Sequence, residues 1–174
     1  MRLKAMAKIN LGLDVLGKRE DGYHEVRMIM QTIRMYDILD IRKTRRPGIV
    51  LTTNLPFIPT DQRNLVYKAA QMLMEEFDVE EGLSIKLRKF IPVAAGMAGG
   101  SSDAAAAFVG VNRMFHLGLT EEQLMERAVK VGADVPYCIM RGTALAEGIG
   151  EKLTRLPEVP KCYVLIGKPG INVS

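Results

Sequence analysis

The part of this sequence best suited to chemistry is a run of small residues that leads into an apolar segment. Glycine permits backbone bends with positive φ and lets a ligand approach closely. A helix that begins here offers unpaired amides at the positive end of its dipole, and phosphate is the natural ligand of such a site. The alternative is an ordinary loop whose helix is capped by Ser101 or Ser102. The run comprises Pro92, Val93, Ala94, Ala95, Gly96, Met97, Ala98, Gly99, Gly100, Ser101 and Ser102.

This run does not have the spacing of two common nucleotide-binding motifs. No Gly-Lys-Ser or Gly-Lys-Thr follows the glycines, as it does in the phosphate-binding loop of many NTPases. The Gly-x-Gly-x-x-Gly pattern of dinucleotide-binding domains is also absent from the sequence of the run. Both of those enzyme classes are therefore disfavoured.

Two charged residues have open interpretations. Lys8 lies between Ala7 and Ile9 in a strand-like segment. It is either a gatekeeper or snorkelling residue of an edge strand, or a cation that pairs with a phosphoryl group or a carboxylate. Asp134 follows a predicted helix, whose negative dipole end does not stabilise it. It is either a turn residue that bonds to its own backbone or a functional carboxylate.

Composition limits the function classes. The chain has 174 residues, 48% of them hydrophobic, and a net charge of +4, which predicts one domain with its own core. No stretch approaches a membrane span or a secretory signal, so we predict a cytoplasmic protein without a membrane partner. Cys138 and Cys162 are predicted to be buried free thiols. The basic run Arg42 to Arg46 keeps a nucleic-acid-binding module open as an alternative, although no aromatic residues interleave with it.

Hydrophobic patterning predicts an α+β fold, in which a mixed sheet packs against helices. Strand and helix signals alternate without strict βαβ order, which disfavours a doubly wound sheet. A helix is predicted after Asn64, a second from the glycine-rich run to about Phe115, and a third after the capping box Thr120–Gln123. Strands are predicted over residues 10–16, 26–41, 83–88 and 162–166.

Four motifs in a fixed order resemble the GHMP kinase superfamily. They are Ala7–Leu11, Gly17–Glu25, Pro92–Ala105 and Gly132–Pro136. The resemblance implies a GHMP kinase N-terminal domain, similar to the second domain of ribosomal protein S5, over residues 1–160. It implies that residues 161–174 begin a truncated C-terminal domain, so we expect these 174 residues alone to be poorly active.

The first two motifs are most similar to the branch of the superfamily that acts on a methylerythritol linked to cytidine diphosphate. The resemblance implies transfer of the γ-phosphoryl group of ATP to the 2-hydroxyl of that small molecule, in the non-mevalonate route to isoprenoid precursors. It also implies Mg²⁺, although no carboxylate cluster in the sequence defines a metal site. No nucleic acid and no obligate protein partner is implied. Another kinase of the superfamily is the alternative.

The resemblance also implies roles for single residues. Asp134 would accept the proton of the attacking hydroxyl, and Lys8 would orient Asp134 and offset charge on the transferred phosphoryl. Residues 92–102 would hold the ATP phosphates, with Ser101 or Ser102 near the metal. The substrate would be bound by Asn10 near the reacting end and by Tyr23 and His24 at the cytosine.

One position departs from the glycine-rich motif of the family. Ala98 stands where the family commonly has glycine. Alanine is harmless there if its φ is negative.

Overall fold

The described strands form one mixed, six-stranded sheet. The structure is a computed structural model, and it describes residues 1–20, 22 and 24–167. The strands are β1 (Arg2–Lys18), β2 (His24–Thr44), β3 (Ile49–Thr53), β4 (Gly82–Arg88), β5 (Thr143–Gly148) and β6 (Lys152–Arg155). The sheet order is β3-β4-β2-β5-β6, and β1 pairs with β2 outside this path.

Helices pack against this sheet, as the α+β prediction requires. Asn64 caps α1 by accepting a hydrogen bond from the Val66 amide, and Thr120 and Gln123 form the predicted capping box of α3. Both predicted helix starts are therefore confirmed. The described helices are α1 (Leu65–Glu76), α2 (Gly99–Met114), α3 (Glu121–Ala128) and α4 (Val135–Met140). None of them is long and apolar enough to cross a membrane.

Small residues let α2 lie close to the sheet. The run Ala104–Ala107 is buried, and so are alternate residues of β4 such as Ile85. A Cβ at Gly110 would lie 2.4 Å from Cδ1 of Ile41 and 2.8 Å from Cδ1 of Leu3, so a larger residue here would require both side chains to shift. This packing fixes the direction of α2 and hence the position of its first turn.

The β1–β2 pair is a long antiparallel hairpin whose outer half is solvated. Its register runs from Arg2 opposite Asp40 to Lys18 opposite His24. The predicted strand over residues 10–16 lies within β1, but its residues are all exposed. The alternation there therefore marks two exposed faces rather than one buried face.

Two predictions near the end of the described chain are wrong. Residues 162–166 form no strand: all five are exposed, and none pairs with a strand of the sheet. Apolar content alone does not make a strand, because a strand is stabilised by its pairing and by the packing of its side chains. Cys162 is exposed rather than buried, while Cys138 is buried as predicted.

Candidate active site

Lys8 is buried in β1 and points its ammonium at two polar side chains. Its side chain is 6% exposed, and Nζ lies 3.6 Å from Oδ2 of Asp134. Nζ also donates to Oδ1 of Asn10 at 3.0 Å. The backbone amide of Lys8 donates to the carbonyl of Met97 at 3.2 Å, which ties β1 to the glycine-rich run. A buried, paired lysine is neither snorkelling nor a solvated gatekeeper.

Asp134 lies immediately before α4, a helix that the sequence reasoning did not predict. It is the N-cap residue of α4, with φ −83° and ψ −12°, and its side chain makes no capping hydrogen bond. Asp134 therefore lies at the positive end of a helix dipole, and its carboxylate pairs with Lys8. Pro136, near the start of α4, is the sequence signal that could have located this helix.

Within the glycine-rich run, a residue with left-handed backbone conformation stands immediately before α2. Ala98 is the N-cap residue, with φ 53° and ψ 32°, so the condition of a negative φ is not met. Helix α2 begins at Gly99 and has no side-chain cap, so neither serine caps it. The amides of its first turn have no partner within the helix, because the first intrahelical bond joins the Ser102 amide to the Ala98 carbonyl.

The two serines of the first turn of α2 differ in their surroundings. Ser102 is buried, and its hydroxyl donates to the backbone carbonyl of Met6 in β1. Ser101 is half-buried. Of the two hydroxyls, that of Ser101 is the more available to a ligand.

A cavity of about 390 Å³ opens beside the run. Its lining includes most of the run together with Asn64, Leu65 and the charged residues Lys89 and Asp103. No atom lies within 4 Å of a Cβ built at Gly96, where φ is +70°. The backbone of the run is therefore open to a ligand on this side.

Three buried ionisable side chains beneath the cavity were missed by the sequence reasoning. Lys89 Nζ donates to Oδ2 of Asp37 and to Oδ2 of Asp103, the latter at 2.5 Å. Oδ1 of Asp37 accepts from the amides of the next two residues after Lys89, at 2.5 Å and 2.8 Å. Burial raises the pKa of Asp103, and its Oδ1 has no hydrogen-bond partner among the described residues.

This cluster, Asp37–Lys89–Asp103, fixes the backbone that enters the glycine-rich run. Nζ of Lys89 also lies 3.2 Å from the position of a Cβ at Gly99, directly under the start of α2. The sequence signal that could have found this cluster is a charged residue within an apolar strand. Asp37 is fully buried in β2, and its two neighbours are half-buried.

Cys138 lies beneath the Lys8–Asp134 pair but is no nucleophile. Burial is the largest cause that raises the pKa of its thiol to about 12, and the nearby Asp134 charge adds to the effect. The thiol therefore stays neutral at ordinary pH.

The predicted substrate-binding residues lie at two places. Asn10 contacts Lys8 and sits opposite Met30 in the hairpin. His24 is exposed at the start of β2, six residues from Met30, or roughly 20 Å at the rise of an extended strand. Tyr23 lies outside the described residues. The structure thus brings together Lys8, Asn10 and Asp134, and leaves His24 at the far end of the hairpin.

Comparisons with known proteins point to one family. A family model described as the GHMP kinases N terminal domain matches residues 64–142. The 4-diphosphocytidyl-2-C-methyl-D-erythritol kinase of Lachnospira eligens is 58% identical over 174 residues, which are 100% of this chain and 60% of that protein. The enzyme of the same name from Caldicellulosiruptor bescii is 55% identical over 174 residues, 100% of this chain and 61% of that protein. The chain thus spans about 60% of the length of these relatives.

Solved structures give the same result. A crystal structure of 4-(cytidine 5'-diphospho)-2C-methyl-D-erythritol kinase matches with a TM-score of 0.79 and 35% identity, over 90% of this chain and 55% of that one. The Methanococcus jannaschii mevalonate kinase matches with a TM-score of 0.69 and 15% identity, over 90% of this chain and 56% of that one. The second likeness concerns the fold alone.

Proposed function

We propose that this chain is a GHMP kinase domain that carries the phosphate-binding and proton-accepting groups of a 4-diphosphocytidyl-2-C-methyl-D-erythritol kinase. The reaction is transfer of the γ-phosphoryl group of ATP to the 2-hydroxyl of the methylerythritol, a step towards isoprenoid precursors. The observation that carries the proposal is the position of Lys8. Its buried ammonium lies 3.6 Å from the Asp134 carboxylate, and its backbone amide donates to the glycine-rich run.

The glycine-rich run is suited to the phosphates of ATP. Its backbone is open at Gly96, and the unpaired amides of Gly99, Gly100 and Ser101 form the positive end of α2. The cavity of about 390 Å³ beside these amides has room for the remainder of a nucleotide. The family's use of ATP agrees with this donor set.

The Ser101 hydroxyl, beside these amides, offers an oxygen ligand that is compatible with Mg²⁺. No group of three His, Cys, Asp or Glu side chains that could hold a metal occurs within residues 1–20, 22 and 24–167. Mg²⁺ commonly needs only one or two protein oxygens besides substrate phosphates, and the Ser101 hydroxyl is the one we assign to it. When bound, it would neutralise charge on the phosphates.

Asp134 and Lys8 have different roles in the reaction. The Asp134 carboxylate is 31% exposed, so a substrate hydroxyl can reach it, and it accepts the proton as the oxygen attacks. Lys8 holds this carboxylate in place and offsets the negative charge that develops on the transferred group. Phosphoryl transfer depends mainly on positioning and electrostatics, so these groups beside the amides of α2 form a sufficient minimal set.

The outer hairpin serves the cytosine end of the substrate. Asn10 binds near the reacting hydroxyl, and His24 hydrogen-bonds the edge of the base while Tyr23 stacks on its face. The roughly 20 Å between the two places along β2 suits an extended substrate whose ends are joined by a diphosphate. A location in the cytoplasm is part of the same proposal.

Calorimetric titration of the chain with 4-diphosphocytidyl-2-C-methyl-D-erythritol tests the assignment. We expect binding by this ligand and by cytidine diphosphate, no binding by galactose, and about tenfold weaker binding in His24→Ala, which corresponds to one lost hydrogen bond. Asp134→Asn is the matched variant at the other end and should leave the affinity for cytidine diphosphate unchanged. Equal binding of galactose, or no effect of His24→Ala, would contradict the substrate assignment.

A further inference from the structure

A closed ring of hydrogen bonds joins the strand position opposite Lys8 to the helix that begins after Asp134. Thr32 in β2 lies opposite Lys8 in the β1–β2 register. Tyr137 lies one turn after Asp134 in α4, and its side chain is 1% exposed. The third member is Gly142, immediately before β5. Among the described residues, the hydroxyls of Thr32 and Tyr137 hydrogen-bond only to members of the ring, so the ring itself supplies no reacting group to the proposed chemistry.

Counting protons fixes the direction of every bond in the ring. The Tyr137 hydroxyl donates to the Gly142 carbonyl at 2.7 Å, which uses its one proton. The Gly142 amide donates to Oγ1 of Thr32 at 3.0 Å, and the Thr32 amide donates to the Gly142 carbonyl at 3.0 Å. The 3.1 Å contact between the hydroxyls of Thr32 and Tyr137 must therefore use the proton of Thr32.

The ring is held in its closed form by its surroundings. Burial raises the pKa of Tyr137 to about 12, so its hydroxyl keeps its proton at ordinary pH. Arg141 has φ 59° and ψ −177°, a backbone region that is essentially restricted to glycine. Its amide donates to the Tyr137 carbonyl at 2.7 Å and its guanidinium to the Lys4 carbonyl at 2.9 Å. These bonds maintain the strained turn that brings Gly142 to Tyr137.

Asp134 depends on this helix for its position. Its side chain makes no capping bond, and α4 has only 6 residues, so its backbone sets where the carboxylate lies. Lys8 is fixed on the sheet, while Asp134 is fixed on α4. The ring connects the sheet to α4 close to both.

We propose that Tyr137 is a positioning residue, which sets the separation of the Lys8 ammonium and the Asp134 carboxylate through its hydroxyl bonds to Thr32 and Gly142. The inference rests on the proposed function for its catalytic meaning. The geometry it asserts is independent of substrate and of turnover.

Electrostatic coupling between Lys8 and Asp134 is the first measurement, made on the chain itself. The readout is the change in the Asp134 carboxyl ¹³C resonance when Lys8→Met is introduced. We expect this change to fall at least about twofold in a Tyr137→Phe background, because Coulomb coupling weakens as the charges separate. Thr143→Val is the matched control, since it removes a buried hydroxyl that bonds Gln31 at 2.7 Å outside the ring. It should keep the full change.

Two further variants change the ring at Thr32 instead of Tyr137. Thr32→Val opens it and should reduce the coupling as Tyr137→Phe does, with no further loss in the double variant. Thr32→Ser keeps the hydroxyl and should restore the coupling. Full coupling in Tyr137→Phe would overturn the proposal. Loss of the folded spectrum in both Tyr137→Phe and Thr32→Val would overturn it too, since the ring would then be a requirement of folding.

A kinetic measurement separates this inference from the proposed function. Where the wild-type protein phosphorylates the cytidylyl substrate, Tyr137→Phe should lower kcat about tenfold with unchanged KM for ATP, because a small displacement of a base is costly. Turnover by the wild type with an unchanged kcat in Tyr137→Phe would overturn only the positioning role. Where the wild type shows no turnover, the calorimetric titration decides the proposed function, and the ¹³C coupling still decides the positioning role.

Discussion

At Ala98 the backbone adopts a conformation that alanine disfavours. Its φ of 53° and ψ of 32° lie in the left-handed region, where a Cβ costs about 1–2 kcal/mol. The same residue is the N-cap of α2 and lies against the phosphate-binding amides. Local strain is thus stored beside the candidate site, where the surrounding contacts hold it.

Ala98→Gly should therefore stabilise the chain. We expect the free energy of unfolding to rise by about 0.5–1 kcal/mol, the relief of strain less the added entropy of the unfolded chain. Ala95→Gly is the matched control, because Ala95 lies in the same run and is not among the residues with positive φ. It should leave stability unchanged or lower. Urea unfolding of the three proteins measures both effects, and stabilisation by Ala95→Gly as large as by Ala98→Gly would contradict the argument.

At the scale of single elements, local patterns predicted structure where they reflect burial. Alternation over 83–88 gave β4, and the caps at Asn64 and Thr120 gave α1 and α3. Helix α4 was missed because its 6 residues are all buried, so it has no polar face and no helical periodicity. The segment 162–166 is apolar in content, but its residues are all exposed and bury no face against the sheet, so the predicted strand is absent.

Some residues of the candidate site could likewise be predicted from local sequence, and others could not. The glycine-rich run and the residue types of Lys8 and Asp134 could be recognised from the chain itself. The partners of Asp37 could not, because Lys89 lies 52 residues away and the contact depends on the tertiary fold. The same is true of the ring at Tyr137, whose partner Thr32 is 105 residues away.

The first turn of α2 allows structural and ligand-binding roles to be separated. The Ser102 hydroxyl anchors α2 to β1 through the Met6 carbonyl, whereas Ser101 is half-buried at the open end of the helix. Ser102→Ala should lower the free energy of unfolding by about 1 kcal/mol, the net value of one hydrogen bond. Ser101→Ala should change stability by less than about 0.5 kcal/mol but weaken ATP binding about fivefold to tenfold.

Chemical denaturation and calorimetry with ATP on the same two variants make this comparison. The two serines are neighbours in one helix turn, so each serves as the control for the other. A loss of ATP affinity in Ser102→Ala alone, with stability unchanged, would reverse the assignment of roles.

At the scale of the whole molecule, the Asp37–Lys89–Asp103 cluster joins the sheet, the segment after β4 and helix α2. All three side chains are at most 4% exposed. Two carboxylates share one ammonium, so the cluster carries an excess negative charge when both are ionised. Burial favours the neutral form of Asp103, in which the carboxyl is protonated and this excess charge is absent.

This balance makes stability depend on pH in a defined direction. Because burial raises the pKa of Asp103 above 3.8, the folded chain keeps a proton that the unfolded chain has released. The folded state then binds more protons than the unfolded state, so the free energy of unfolding falls as pH rises from about 4 through the folded pKa. The contribution is fully present below the unfolded value.

Asp103→Asn removes this titration and leaves a side chain of similar shape. The difference in unfolding free energy, wild type minus Asp103→Asn, should decline by up to about 1.4 kcal/mol per pH unit above pH 4. Asp61→Asn is a control with the opposite pH dependence. The hydrogen bonds that Asp61 accepts from Arg63 lower the pKa of its carboxyl to about 2, so its contribution to the free energy of unfolding is lost as pH falls from 3.8 towards that value. Urea unfolding at closely spaced pH values measures both. A difference for Asp103→Asn that stays constant from pH 4 to 8 would mean that Asp103 is ionised throughout, with Lys89 balancing both carboxylates.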